Sequence, residues 1–426
     1  MKIVLIKKEC FVLATQTQTG LDQQTIDIIK ATVPVLEQRG DEITKVFYQQ
    51  MFKNHPELKN VFNQTNQRKG DQSKALAATV YAAAYHIDQL EKILPQVKQI
   101  AQKHTSLNIR PEHYPIVGKH LLLAMKMVLE DAATDEVLSA WERAYGVIAS
   151  VFIDIEKNMY DDMTDKVGGW TGFRDFKIVN KVKESDVITS FYLEPVDKEP
   201  FPAHLPGQYI TVKATIDGEP HDHLRQYSLS CAPNQGHYRI SVKREDAMNQ
   251  LPAGIVSNYL HREIEVGSVL PISAPSGDFV LDQTDERPLV LMSGGVGLTP
   301  MMSMLETVVN QQPNRQVYFI HAAQSGNVHA MREAVVDITE NHPQVSSHIV
   351  YERPSNEDKL AKSYHKEGFI DAEWIQSVIP TVDAAFYFCG PAPFMRAMYR
   401  ALTGNGVKDC DINYEFFGPA ASITAS

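Results

Sequence analysis

A glycine-rich turn between a strand pattern and a helix pattern constrains the second half of this chain more than any other feature. Pro288 to Met292 is an apolar, strand-like run. Ser293-Gly294-Gly295-Val296-Gly297-Leu298 follows, and Thr299-Pro300 reads as the cap and first-turn proline of a helix. Such a turn lets backbone N–H groups approach a phosphate closely. Alone it is more often an ordinary tight loop. Two further stretches give it weight, Arg225-Gln226-Tyr227-Ser228 before it and Cys389-Gly390-Pro391 after it. A strand carrying the first would offer a cation, a flat aromatic and a hydroxyl. A flavin needs these for its pyrophosphate, its ring and its reactive nitrogen. Together, in this order, the three stretches predict a reductase using a flavin and a nicotinamide dinucleotide.

The rest of the chain divides by period. From Leu21 to Tyr160 apolar residues recur at steps of three and four. This predicts helices over Thr25–Gln38, Ile43–Phe52, Gln72–His86, Leu90–His104, Pro111–Glu130 and Asp135–Tyr160. Gly40, Gly70-Asp71 and residues 108–111 are read as their breaks. Gly168-Gly169-Trp170 and Gly172 mark a linker. Short β-rich runs follow at Phe176–Val182, Ile188–Leu193 and Tyr238–Val242, suiting an antiparallel barrel. From Arg287 strands and helices alternate, the mark of a parallel sheet. The expected architecture is multi-domain: a residue 1–20 extension, an all-α domain at 21–160, a linker at 161–172, an antiparallel β-barrel at 173–283 and an α/β domain at 284–426.

Composition excludes several classes. A net charge of −11 argues against nucleic acid as a partner, which would need a basic face. Four cysteines (Cys10, Cys231, Cys389, Cys410) lack metal-ligand spacing and are too few for a disulfide framework, which suits a reducing compartment. No apolar run is long enough to span a membrane. The first residues, Met1–Ile6 broken by Lys7-Lys8-Glu9, lack the form of a signal peptide. A cytoplasmic protein is expected, and a monomer.

From Phe173 to about Pro419 the chain resembles the ferredoxin reductase-like flavoenzymes. Gly207-Gln208-Tyr209, the Arg-Gln-Tyr-Ser stretch, Gly254-Ile255-Val256-Ser257-Asn258 and Asn413-Tyr414-Glu415-Phe416-Phe417-Gly418-Pro419 carry the likeness. It implies that FAD and NAD(P)H are held by Tyr209, Arg225, Gln226, Tyr227, Ser228, Gly254, Val256, Ser257, Ser293, Gly294, Gly295, Val296, Gly297, Leu298, Cys389, Phe416, Phe417, Gly418 and Pro419. Ser257 is expected to cap a helix directed at the flavin pyrophosphate. Phe417 is expected to cover one flavin face, whereas for Phe416 plain core packing is favoured.

A helical bundle joined to a flavin reductase suggests an electron acceptor within the bundle. On the helix ending near Thr105, Ile93, Val97, Ile100, Ala101 and His104 share one face. His104 thus points where the apolar residues point, as a haem ligand would. A satisfied core histidine is the ordinary alternative. The neighbouring stretches Phe47-Tyr48, His55-Pro56-Glu57-Leu58, Gln102-Lys103-His104-Thr105-Ser106 and Trp141-Glu142-Arg143-Ala144-Tyr145-Gly146 resemble a globin. The whole of Leu21 to Pro419 resembles the flavohaemoglobins.

That resemblance implies haem b, with its iron held by His104. It implies a relay through Tyr114 and Glu156 behind this ligand, with Tyr48 and Gln72 on the dioxygen side. Lys103 and Glu415 are implied to tune the redox potentials, as is Tyr48. Core packing is the alternative for Tyr48, and a solvated helix face for Glu156. The implied activity is an NAD(P)H-dependent nitric oxide dioxygenase: electrons pass from NAD(P)H through FAD to haem, and nitric oxide and dioxygen become nitrate. A flavin or ferric reductase with haem as relay, or a gas sensor, stays open as an alternative.

Overall fold

The computed structural model describes residues 20–62, 70–248, 252–418 and 423. The expectations for the first nineteen residues and for Pro419 lie outside these. The chain divides into two compact units, one comprising residues 1–54, 73–98 and 111–154, the other residues 55–72, 99–110 and 155–426.

The first unit is helical. Its elements come from α1 (Gln23–Asn54), α2 (Asp71–Tyr85), α3 (Leu94–Ser106), α4 (His113–Leu129) and α5 (Asp135–Thr164). Ile29, Leu36, Ile43, Phe47 and Met51 are each at most 4 % exposed and recur at helical spacing along α1. They form the face that packs along α4. Each such burial is worth about 1.5–3 kcal/mol. Trp141 is fully buried, and its Nε1 donates to Thr32 Oγ1 at 3.3 Å. The expected break at Gly40 is absent: α1 runs straight through it. A Cβ on Gly40 would meet only Ala77 Cβ, at 3.4 Å, an ordinary packing distance. Gly70 does break the chain, at φ +76°, and Asn108 does so at φ 59°.

The second unit holds both sheets. Strands β1 (Phe173–Lys183), β2 (Ile188–Pro195), β3 (Tyr209–Ala214), β4 (His223–Ser228), β5 (Tyr238–Lys243) and β6 (Val269–Ser273) form an antiparallel sheet in the order β4-β3-β6-β1-β2-β5. A bridge from Leu229 to Ile240 nearly closes it into a barrel. Phe176, Phe191, Ile210, Val212 and Ile240, all fully buried, fill its interior. Trp170 of the expected linker is pinned to this barrel, its Nε1 donating to Ile272 O at 3.2 Å.

The second sheet is parallel, in the order β10-β9-β8-β7-β11-β12, from β7 (Leu289–Gly294), β8 (Val317–Ala323), β9 (Val345–Tyr351), β10 (Lys366–Glu367), β11 (Ala385–Cys389) and β12 (Ile412–Glu415). β7 is apolar from Leu289 to Met292, as befits a strand covered on both faces. Leu289 and Leu291 join a core with Met301, Met304 and Leu305, while Val290 and Met292 join another with Ile375, Met395 and Met398. The helical, antiparallel and parallel parts follow in the order the sequence predicts. Among the described residues no helix is long and apolar enough to cross a membrane.

Candidate functional site

The glycine turn and the Cys-Gly-Pro stretch come together at the carboxyl ends of β7 and β11, where α/β sheets bind their ligands. Register aligns His321, Ser293, Cys389 and Glu415 across β8, β7, β11 and β12. After β7, Gly295–Gly297 makes one 3₁₀ turn and α7 (Leu298–Gln311) begins. Gly295 has φ +55° and open space where a Cβ would stand, so its backbone can face a phosphate. A Cβ on Gly297 would fall onto the Cys389 carbonyl, and one on Gly294 would touch the Phe394 ring at 3.0 Å. Leu298, 2 % exposed, and half-buried Val296 anchor the turn in the sheet core. Thr299 is not the cap. Gly297 occupies that position, and Thr299 Oγ1 donates back to Val296 O at 3.1 Å. The hydroxyl lies inside the helix because the 3₁₀ turn starts the coil earlier than the sequence pattern suggests. Ser293 Oγ instead bonds His321 Nδ1 at 2.8 Å.

Glu415 is half-buried, and its Oε2, itself shielded from solvent, meets no hydrogen-bond partner among the described residues. Burial pushes its carboxyl up to about 8; Asp278 adds to this and Lys103 opposes it. Burial also drives the Cys389 thiol well above its usual range and lowers the Lys103 ammonium. Lys103 Nζ donates to Gly418 O at 2.9 Å. Beyond β12, Phe416 packs edge-on to Tyr414 at 5.9 Å within the sheet's apolar cluster, as core packing requires. Phe417 is 47 % exposed.

On the barrel, β3 and β4 pair Tyr209 with Ser228 and Ile210 with Tyr227. Arg225 and Tyr227 therefore share one face of β4, and Gln226 and Ser228 the other. Burial lowers the Arg225 guanidinium, and no carboxylate lies within ion-pair distance of it among the described residues, which suits an anion. Gly207 has φ +107°, and a Cβ there would meet the Phe279 carbonyl. Ser257 is not a cap either. The helix α6 (Ile255–Glu263) starts two residues earlier, with Gly254 as its cap. Ser257 Oγ donates to Gly254 O at 3.2 Å and accepts from Glu245 N at 3.2 Å, while Val256 is 2 % exposed.

In the segment 99–110, His104 Nδ1 lies 2.7 Å from Glu156 Oε1. Glu156 is 2 % exposed, so the solvated-face reading of this residue is wrong. An acceptor here favours the tautomer with its proton on Nδ1, so Nε2 would be the nitrogen offered to a metal. This donor set fits haem iron. Gln72, the second residue of α2, is half-buried in the same unit. Tyr48 and Tyr114 belong to the helical unit. Tyr48 is 7 % exposed, with Phe47 edge-on at 4.8 Å and Phe52 stacked at 5.8 Å. Tyr114 is 9 % exposed, lies 6.3 Å from Phe152, and its carbonyl accepts from the Tyr145 hydroxyl at 2.7 Å. In this unit Leu90, Ile93, Val97, Ile148, Val151 and Phe152 line an apolar hollow.

Three family descriptions match in succession: Globin over residues 45–152, oxidoreductase FAD-binding domain over 175–281, and oxidoreductase NAD-binding domain over 291–400. The flavohemoprotein of Oceanobacillus iheyensis is 61 % identical over 409 residues, covering 96 % of this chain and 99 % of its own. The chain belongs to the flavohemoprotein family. The flavohemoprotein of Bacillus subtilis is 50 % identical over 406 residues, covering 95 % of this chain and all of its own. The crystal structure of flavohemoglobin from Malassezia yamatoensis, with bound FAD and heme, matches with a TM-score of 0.81 at 27 % identity over 93 % of this chain and all of that one. The FAD/NAD-binding domain of nitric oxide dioxygenase from Vibrio cholerae matches at 35 % identity and a TM-score of 0.53, covering 60 % of this chain and all of that one. As a flavohemoprotein, the chain is an oxidoreductase that binds haem, FAD and a nicotinamide dinucleotide and carries electrons from NAD(P)H to haem.

Sequence reasoning missed several polar ties around these residues. The Ser293–His321 bond and the contacts of Gln102 and Ser106 join positions far apart in sequence, and none belongs to a recognisable local pattern.

Proposed function

We propose that this chain is an NAD(P)H-dependent nitric oxide dioxygenase, converting nitric oxide and dioxygen to nitrate. The observation that carries this reading is the 2.7 Å bond between His104 Nδ1 and the buried Glu156 carboxylate. An imidazole held this way is a strong donor to iron, which favours oxygen chemistry over reversible storage. When bound, haem would supply the iron for the oxygen chemistry, and FAD would let the two electrons of a hydride pass on singly.

The side chains have distinct tasks. His104 ligates, Glu156 orients it, and Tyr114 completes the group behind it. Tyr48 would offer its hydroxyl to dioxygen, and Gln72 would favour dioxygen binding. Tyr227 stacks on the flavin, Ser228 addresses its reactive nitrogen, and Arg225 with the first turn of α6 holds the pyrophosphate. Tyr209, Gln226, Gly254, Val256 and Ser257 complete the flavin's cradle. The turn from Ser293 to Leu298 holds the dinucleotide phosphates beside Cys389, and Phe416 to Gly418 border the flavin. Lys103 and Glu415 set the local potential. The likeness to the Vibrio cholerae nitric oxide dioxygenase domain supports the same reading.

Electron bookkeeping gives the test. Joining one nitric oxide to one dioxygen to make nitrate takes one electron, and a hydride brings two. Purified protein in air should form one nitrate per nitric oxide and consume one NAD(P)H per two nitric oxide molecules. NAD(P)H oxidation without nitrate would identify a plain reductase.

A further inference from the structure

Ser106 takes no part in the roles above, yet it ties the segment bearing His104 to the flavin strands. It is 1 % exposed. Its Oγ donates to Lys103 O at 2.8 Å and accepts from Gln226 Nε2 at 2.8 Å. The Tyr209 phenol is hydrogen-bonded to it as well. A serine hydroxyl offers one proton and two lone pairs, so one group serves all three partners. Tyr209 and Gln226 come from adjacent strands, and the pairings Tyr209–Ser228 and Thr211–Gln226 set both side chains on one face. Gln226 lies next to Tyr227 in the chain. Ser106 lies two residues beyond His104.

Neighbouring bonds stiffen this junction. Gln102 Oε1 accepts from Gly277 N at 3.0 Å, and Lys103 Nζ reaches Gly418 O. The helix then ends where Ile109 N returns to His104 O at 2.9 Å, and Tyr160 donates its hydroxyl to Ile109 O at 2.7 Å. Gln102 and Lys103 are each held by a single bond from a flexible side chain. Ser106 is short, buried and bonded to two strands at once, so it fixes position most tightly.

We propose that Ser106 is a positioning residue for electron transfer, holding the His104 turn in register with the strands that carry Tyr227 and Ser228. This rests on the reading of His104 as the haem ligand and of β4 as the flavin strand. Removing the hydroxyl leaves the part-buried Gln226 amide and the buried Tyr209 phenol without this partner, and the segment must shift or loosen to satisfy them. Electron transfer slows as the distance between donor and acceptor grows, so such a shift would slow haem reduction.

The test compares holoenzyme with the Ser106→Ala and Ser106→Thr variants, mixed anaerobically with NADH. In Ser106→Ala, flavin bleaching should keep its normal rate, while haem reduction slows severalfold. Dithionite should still give a normal ferrous haem spectrum. Hydrogen exchange over residues 99–110 should quicken, a change that does not depend on turnover. Ser106→Thr keeps the hydroxyl and should restore both. If Ser106→Ala loses haem, Ser106→Cys carries the same test, since it keeps the volume but hydrogen-bonds weakly. Haem reduction at the normal rate, or slowing without faster exchange and without rescue by threonine, overturns the proposal. A wrong haem ligand would appear separately, as a haem spectrum that survives His104→Ala.

Discussion

Burial decides how single residues behave here. Glu415 is the clearest case, a carboxyl raised to about 8 chiefly by desolvation. Its folded-state affinity for protons exceeds that of the unfolded chain, so its contribution to stability is complete below about pH 4.5 and is lost as pH rises through about 8. Glu415→Gln removes this dependence. The stability difference between wild type and variant, read from urea unfolding across this range, should therefore fall with rising pH and then level off. A pH-independent difference would mean that Glu415 is solvated. His104 and Glu156 teach a related lesson. The helical period alone indicates where His104 points, since Val97 and Ala101 on its face are buried. Its pairing with Glu156, 52 positions later, has no local pattern and is suggested by family resemblance alone.

Among the elements, strands and helices were legible wherever their period was strong, and their ends were not. The apolar run before Gly294 reads as a strand because both faces of β7 are buried. Thr299 and Ser257 look like caps, but each lies within the first turn and bonds backward to a carbonyl. A hydroxyl near a helix start has both options, and the preceding backbone chooses between them. Gly40 and Gly297 show the same ambiguity for glycine. Gly40 sits inside α1 with room for a methyl group, so Gly40→Ala should stabilise the helical unit by about 0.5–1 kcal/mol in thermal or urea unfolding. Gly297 has no such room against the Cys389 carbonyl. Gly297→Ala should displace the turn and raise the NAD(P)H concentration needed for flavin reduction by tenfold or more, roughly the effect of losing one good phosphate contact. Equal effects at the two positions would contradict this contrast.

For the whole molecule, the fold accounts for why one chain can hold three groups. The helical segments, the barrel and the parallel sheet each bury apolar residues of their own. Order along the chain made this architecture legible, because each part has its own period. Contacts such as Ser106 with Gln226 were not legible, because they depend on how finished elements pack. The central claim is that electrons run from NAD(P)H through FAD to a haem held by His104. It is tested most directly by adding NADH anaerobically to wild type and His104→Ala and recording the spectra of both chromophores. Wild type should bleach its flavin and then convert its haem to the ferrous form. The variant should bleach its flavin at the normal rate and show little or no haem. A variant that keeps a normal, reducible haem spectrum would contradict the account.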